Sequence, residues 1–462
     1  MSVPVFRPVG EVEDAVSALL PDLKSALNRL VSIPSIALDG YPTEPLMHAH
    51  DAVVELLRDS GITQIEELTI PGKTAPVVMA TVPGPPGAPT VLFYTHYDVV
   101  PADDVELWDS PPFEPQERDG AIYGRGTADS KANLVGIIGA LRVFDANPPV
   151  TVKLVFEGQE EFGSPFDFYP ATHPEPFRAD AMVIADVGNV RPGAPTVTVA
   201  LRGSAQITVS VQTLKADKHS GLYGGAAPDA RLALIRALAS LHDDAGDVAV
   251  EGLRREEWTG TSYTEQEFRD LAEVLEGKPL MGTGGLGERI WSGPAITVIG
   301  FDAPAVEGPV NAVAGSARAV LNVRVHPAQD AAEAQAAVIR HLEAQRPFGL
   351  EVTATAGEVG NGFAAETSGP GFEAAVAALN SAWDADTGEM AGGGSIPLVM
   401  ALHTGIPEAE KLLFGATDGY ANIHGPNERV LIDEMRRATV AKALFLQEYA
   451  ARYAAGRSDT AR

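Results

Sequence analysis

The chain has 462 residues, long enough for two or three domains, and its 45% apolar content can fill a large core. Acidic residues outnumber basic ones 62 to 34, a formal charge of −28, which argues against nucleic acid or an anionic membrane surface as a partner. With no cysteine there is no disulfide, no thiolate nucleophile and no thiolate metal ligand, so a metal would rest on His, Asp, Glu, backbone oxygens or water.

The N-terminal MSVPVFRPVGEVEDAV has no cationic head before an apolar core, so it does not read as a signal peptide. No run of 18 uncharged apolar residues follows anywhere, so no membrane span is expected and the cytoplasm is the expected location. Val16, Leu19, Leu20, Leu23, Leu27 and Leu30 recur at helical spacing over Glu11 to Val31, in a helix that Pro21 should kink or split. Pro45 to Arg58 reads as a second helix closed by Gly61, and Val77 to Val82 as a strand before the turn PGPPGAP. Val91 to Thr95 is a buried strand running into His96 and Asp98. Residues two apart in extended chain share a side, so this imidazole and carboxylate should stand together at the strand's end.

The same pattern then repeats. A Pro-rich loop (Trp108 to Arg118) and a short strand and turn (Gly120 to Gly126) lead to Asp129 in GRGTADSK. A helix rich in small residues (Asn133 to Phe144) should pack tightly on a sheet. A strand at Val150 to Phe156 runs into Glu160 and Glu161, and one at Ala181 to Ala185 into Asp186. Ligand-type residues where successive elements end are how an α/β sheet assembles a site.

At Gly203 the texture changes. An alternating strand (Ser204 to Thr213), a helix (Pro228 to His242), strands at Ala295 to Phe301 and Ala317 to His326, a helix (Ala331 to Ala344) and a strand (Glu351 to Ala356) follow. The order is βαββαβ, the ferredoxin-like arrangement, with a polar insertion over Asp243 to Gly293. The spacing therefore divides the chain into 1–202, an inserted 203–357, and 358–462. The last part holds a helix (Gly371 to Asp384), a glycine-rich turn with Gly392, Gly393, Gly394 and Ser395 at an expected helix start, a strand (Leu412 to Phe414), His424, and a closing helix from Ile432 to Tyr453 with a frayed tail past Ala455. His48, His50, His173, His242 and His341 have no partner pattern and read as surface residues.

His96, Asp98, Asp129, Glu160, Glu161, Asp186 and His424 suit two divalent metals with mixed nitrogen and oxygen ligands, one carboxylate bridging and one acid left as a base. Without cations these carboxylates would repel one another.

THYDVVP, GRGTADSKAN, FEGQEEFGS, IADVGN, HSGLYGG, NVRVHP, GGGSIP and NIHGPNE, in this order, resemble the M20 metallopeptidases, which include carnosinase-like dipeptidases, aminoacylases and desuccinylases. The resemblance covers nearly the whole chain. It implies a mixed α/β sheet flanked by helices and carrying a dinuclear site, with a ferredoxin-like lid and dimerisation domain inserted. It implies two divalent ions per subunit, Zn2+ first and Co2+ or Mn2+ as alternatives. His96 and Asp186 would hold one ion, Glu161 and His424 the other, and Asp129 would bridge them. Asp98 would orient His96 and Glu160 would be the general base. The family's peptide bond after the bridging Asp is commonly cis; here it is Asp129–Ser130, with Ser130 where many dipeptidases carry a second Asp. His219 would steady the oxyanion from the neighbouring subunit of a homodimer. Arg324, Ser395, Gly394 and Asn311 would bind a small peptide or N-acyl amino acid. The expected activity is dipeptide hydrolysis; the alternatives are N-acyl-amino-acid deacylation and, in another class, an inactive peptide-binding protein.

Overall fold

The computed structural model describes residues 6–72, 75–394 and 396–460. It contains two compact units. One comprises the chain up to Val199 with Ala365–Met390 and Leu398 onward; the other comprises Ala200–Ala364 with Ala391–Pro397. The strip that holds Gly394 therefore falls in the second unit.

The first unit is built on a mixed sheet. Four central strands are parallel, in the order Thr151–Glu157, Thr90–His96, Ala181–Ile184 and Glu410–Leu413. Val77–Val82 and Gln64–Leu68 extend one side antiparallel, the latter a strand with no clear signal in the sequence. Thr196–Leu201 lies on the other side and pairs with both Phe363–Ala364 and Gly388–Gly392. The central strands are near-continuous apolar runs, as strands covered on both faces require.

The parallel register matters for the site. Val91 lies opposite Val152 and Ala181; the first two strands end together at His96 and Glu157, and Ala181–Ile184 stops opposite Tyr94. His96 lies opposite Glu157, and the backbone N–H of Ala185 donates to the Tyr94 carbonyl at 2.9 Å. Their carboxyl ends thus deliver His96, the 158–161 turn and Asp186 to one edge.

Helices Val9–Val31, Ala132–Arg142, Pro370–Trp383 and Ile432–Thr460 pack together in this unit. Val9–Val31 is one helix despite Pro21, which lies on the exposed side, where water can take the carbonyl that proline leaves without a donor. The last helix runs to Thr460, past the expected fraying point. His50 departs from the surface assignment: it is 4% exposed, with Nδ1 3.0 Å from the Asp51 carboxylate, because its helix turns that side inward.

The second unit has the antiparallel order Ala295–Phe301, Ser316–Val325, Gly203–Gln212, Thr353–Gly360. Helices Ala230–Ala239 and Ala331–Ala344 bury Ile207, Val209, Leu321 and Val323 with Leu234, Val338 and Leu342. This is the βαββαβ arrangement. The helix starts are capped by Asp229 and Asp330, whose carboxylates accept from free backbone N–H groups of the first turn. The insertion is not all loop: it contains the helix Glu265–Leu271, opened by a reciprocal Thr264–Glu267 cap.

Candidate metal centre

His96 is fully buried at the end of its strand. Its Nδ1 lies 3.2 Å from the Asp98 carbonyl and 3.4 Å from that residue's carboxylate, so Nε2 faces the other way. Nε2 is 2.9 Å from one Asp129 oxygen and 3.2 Å from Asp186. The other Asp129 oxygen is 3.0 Å from His424 Nε2, and that nitrogen is 2.9 Å from Glu161. One carboxylate thus stands between two imidazoles, each with a second acid beside it.

Asp98 also braces the next loop. Its two oxygens accept the backbone N–H groups of Glu160 and Glu161 at 3.0 and 3.2 Å. The adjacent glutamates then fall in different donor groups. Donor atoms of His96, Glu160 and Asp186 lie within 4.8 Å of one another, and so do those of His96, Asp129 and Glu161. Gly158 is needed just before them, because a Cβ there would lie 2.3 Å from the Tyr97 hydroxyl.

Asp129 sits in a loop held from several sides. Gly126, at φ +85°, turns the chain where a Cβ would come 2.5 Å from Val99. The Asp129–Ser130 peptide bond is cis. The Ser130 hydroxyl bonds Thr95 Oγ1 at 2.6 Å and the Ala185 carbonyl at 3.2 Å, tying this loop to the strand ends that carry His96 and Asp186.

Glu428, in NIHGPNE, was not singled out from the sequence. Its buried carboxylate accepts from Gly126, Ala128 and Asp129 N–H groups at 2.9, 2.9 and 3.1 Å and from Arg125 at 2.8 Å. Arg125 also donates to the His424 carbonyl at 3.1 Å. One buried ion pair thus fixes the loops of Asp129 and His424 together. The signal for it lies in the motif itself, four residues after His424.

The electrostatics reflect crowding. Burial and the Asp186 charge push the Glu160 carboxyl well up. Burial and the Asp129 charge push Glu161 up to about 7. Burial acts to raise Asp129 too, but hydrogen bonds from His424 and His96 hold it well below the usual range. Its hydrogen bonds to Asp129 and Glu161 push His424 up to about 10. For His96 burial works downward, yet Asp186 and its hydrogen-bonded acids raise it. Glu160, Glu161, His96 and His424 thus hold protons more tightly than usual, and a cation bound among them would displace those protons. A nitrogen–oxygen donor set without thiolates fits hard or borderline divalent ions, so the residues present fit the metals the motifs imply.

The remaining sequence candidates lie in the second unit. His219 is exposed on the short strand Lys218–His219, opposite Ala312. Its Nδ1 accepts the Gly221 N–H at 3.1 Å. Asn311 is joined to this loop, its carbonyl accepting the Ser220 N–H at 2.9 Å. Arg324 lies on Ser316–Val325 opposite Ser204, and a Cβ at Gly394 would meet nothing. Ser395 lies outside the described residues.

The model of peptidase family M20/M25/M40 matches residues 92–448. A cysteinylglycine-S-conjugate dipeptidase of Corynebacterium striatum is 41% identical over 370 residues, 78% of this chain and 81% of the relative. A Beta-Ala-His dipeptidase of Rattus norvegicus is 27% identical over 77% of this chain and 76% of its own. The fold matches the dipeptidase Dug1p of Saccharomyces cerevisiae (TM-score 0.79, 23% identity, 96% of this chain and 98% of that one). It matches human carnosine dipeptidase 1 equally (TM-score 0.79, 23% identity, 97% and 100%).

Proposed function

This chain belongs to peptidase family M20/M25/M40 and acts as a metallodipeptidase; we propose that it does so as a cytoplasmic homodimer with a dinuclear centre bridged by Asp129. The observation that carries the proposal is that carboxylate, one oxygen towards His96 and the other towards His424. His96 and Asp186 would hold one divalent ion, and Glu161 and His424 the other. Zn2+ is the first choice, with Co2+ or Mn2+ as alternatives.

Bound there, the ions would supply a Lewis acid for the scissile carbonyl and lower the pKa of a water. The protein's own residues do the rest. Asp98 holds the His96 ring through Nδ1, so that Nε2 stays aimed at the centre. Glu160, set apart from Glu161 by the turn, takes the proton of the attacking water and passes it to the leaving amine. His219 donates to the developing oxyanion of the partner's site. The Arg324 fork, with Gly394 and Ser395, grips the substrate's free carboxylate, and Asn311 also contacts the substrate.

The test is a substrate panel with metal-stripped and reloaded protein. Cys-Gly, its S-conjugates and β-Ala-His are assayed beside N-acetyl and N-succinyl amino acids. The expected outcome is dipeptide hydrolysis that a chelator abolishes and Zn2+, Co2+ or Mn2+ restores. Hydrolysis surviving complete metal removal would end the dinuclear reading, and faster turnover of the N-acyl amino acids would make the chain a deacylase.

A further inference from the structure

The sheet of the second unit has one face packed on its helices and one face open. Ala205, Ile207, Val323 and Val325 point to the packed side. Ser204 lies opposite Arg324 in the antiparallel register, so these two share the open side. Arg202 is two residues before Ser204 and falls on that side as well. Arg202 and Arg324 are then diagonal neighbours across the strand pair, a separation that long side chains span.

Among the described residues no carboxylate forms an ion pair with Arg202 or Arg324, in a chain with 62 acidic side chains to draw on. Arg202 is only 8% exposed. Its Nε donates to the Gly393 carbonyl at 3.3 Å and its backbone N–H to the Gly392 carbonyl at 3.2 Å. Its Nη1 is buried with no hydrogen-bond partner. Burial first, and then repulsion from Arg324, bring the Arg202 guanidinium down to about 10. A buried cation without an acid is costly, and a second cation beside it adds to the cost. An anion held by both would remove the cost. The adjoining glycines leave room for one: a Cβ at Gly393 would sit 3.5 Å from Arg202 Nη2, and one at Gly394 would meet nothing.

We propose that Arg202 is a second carboxylate-recognising guanidinium, which with Arg324 and the Gly392–Gly394 loop forms the subsite that selects peptides ending in a free carboxylate. The proposal rests on the reading above in which Arg324 anchors that carboxylate. It adds a specificity residue that no motif had suggested. The planar fork matters as well as the charge, because two parallel N–H donors match a carboxylate and a lysine ammonium does not.

The experiment measures kcat and KM for cysteinylglycine and for its C-terminal amide, with the reloaded parent protein, R202Q, R202K and R324Q. The parent should prefer the acid. R202Q should reduce the acid-to-amide ratio of kcat/KM by about ten- to hundredfold, mainly through KM, the range for a hydrogen bond to a charged group. R202K should give an intermediate ratio, and it decides the matter alone if R202Q does not fold. If Arg202 serves only to clamp the glycine loop, acid and amide lose equally, the ratio holds, and the proposal is overturned while R324Q still collapses the ratio. If the parent itself treats acid and amide alike, the carboxylate-anchor reading fails and takes this inference with it.

Discussion

Glu428 shows how much of the centre depends on a side chain that offers it no ligand. Its carboxylate takes four donors, three of them backbone N–H groups of the loop that presents Asp129. Glu428→Gln would place an amide NH2 against some of those donors and leave Arg125 without its counter-charge. The expected result is a folded protein whose metal affinity falls about 10–100-fold, as for other groups that orient ligands. Competition with a chromophoric chelator measures this, and unchanged metal retention would remove the positioning role. Lys442 is a residue of another kind. It is fully buried, its ammonium has the Asn133 side-chain oxygen at 3.3 Å, and burial brings it down to about 7 from an ordinary 10.5. Between those two values the unfolded chain carries a proton that the folded chain lacks. Stability from this group therefore rises with pH across that window and is flat below about 7. Lys442→Met should stabilise the protein at neutral pH and remove that part of the slope, since Asn133 still accepts the Ala416 N–H at 2.8 Å. Urea unfolding at pH 7 and pH 9 reads both effects; a parent slope kept in the variant would assign it elsewhere.

The helix Ala132–Arg142 was legible as one that packs tightly, from its small residues. The structure shows what they are small for. A Cβ on Gly139 would lie 2.9 Å from Leu23 Cδ1 and 3.1 Å from Thr439 Cγ2, on the two helices beside it. Gly139→Leu should cost about 1–3 kcal/mol by overpacking. The test is a lower thermal midpoint with the βαββαβ unit's secondary structure intact; an unchanged midpoint would mean that these helices move apart freely. Elements with strong periodicity or apolar runs were readable in the sequence. Gln64–Leu68 was not, because it is a mostly exposed edge strand whose pairing with Val77–Val82 supplies the order that its own residues lack.

At the scale of the whole molecule, a homodimer in which His219 serves the partner's site predicts complementation. His219→Ala and Glu160→Ala chains, each inactive alone, should recover activity when mixed under subunit exchange, because one site of a mixed dimer then has both residues. A mixture that stays inactive, or a chain that is monomeric at assay concentration, would sink the arrangement. The sequence by itself determined the order of the elements, the strand ends at which His96, the 160–161 pair and Asp186 stand, and the two-part texture. These are local properties: apolar runs, alternation and turns report burial one segment at a time. Only the tertiary structure decided that Asp129 reaches both imidazoles, that Glu160 and Glu161 join different donor groups, and that Arg125 closes on Glu428 from 303 positions away. It likewise decided that Arg202 and Arg324 share a face on which, among the described residues, no carboxylate pairs with either. Such pairings depend on strand register and loop approach across long separations, and no periodicity along the chain encodes them.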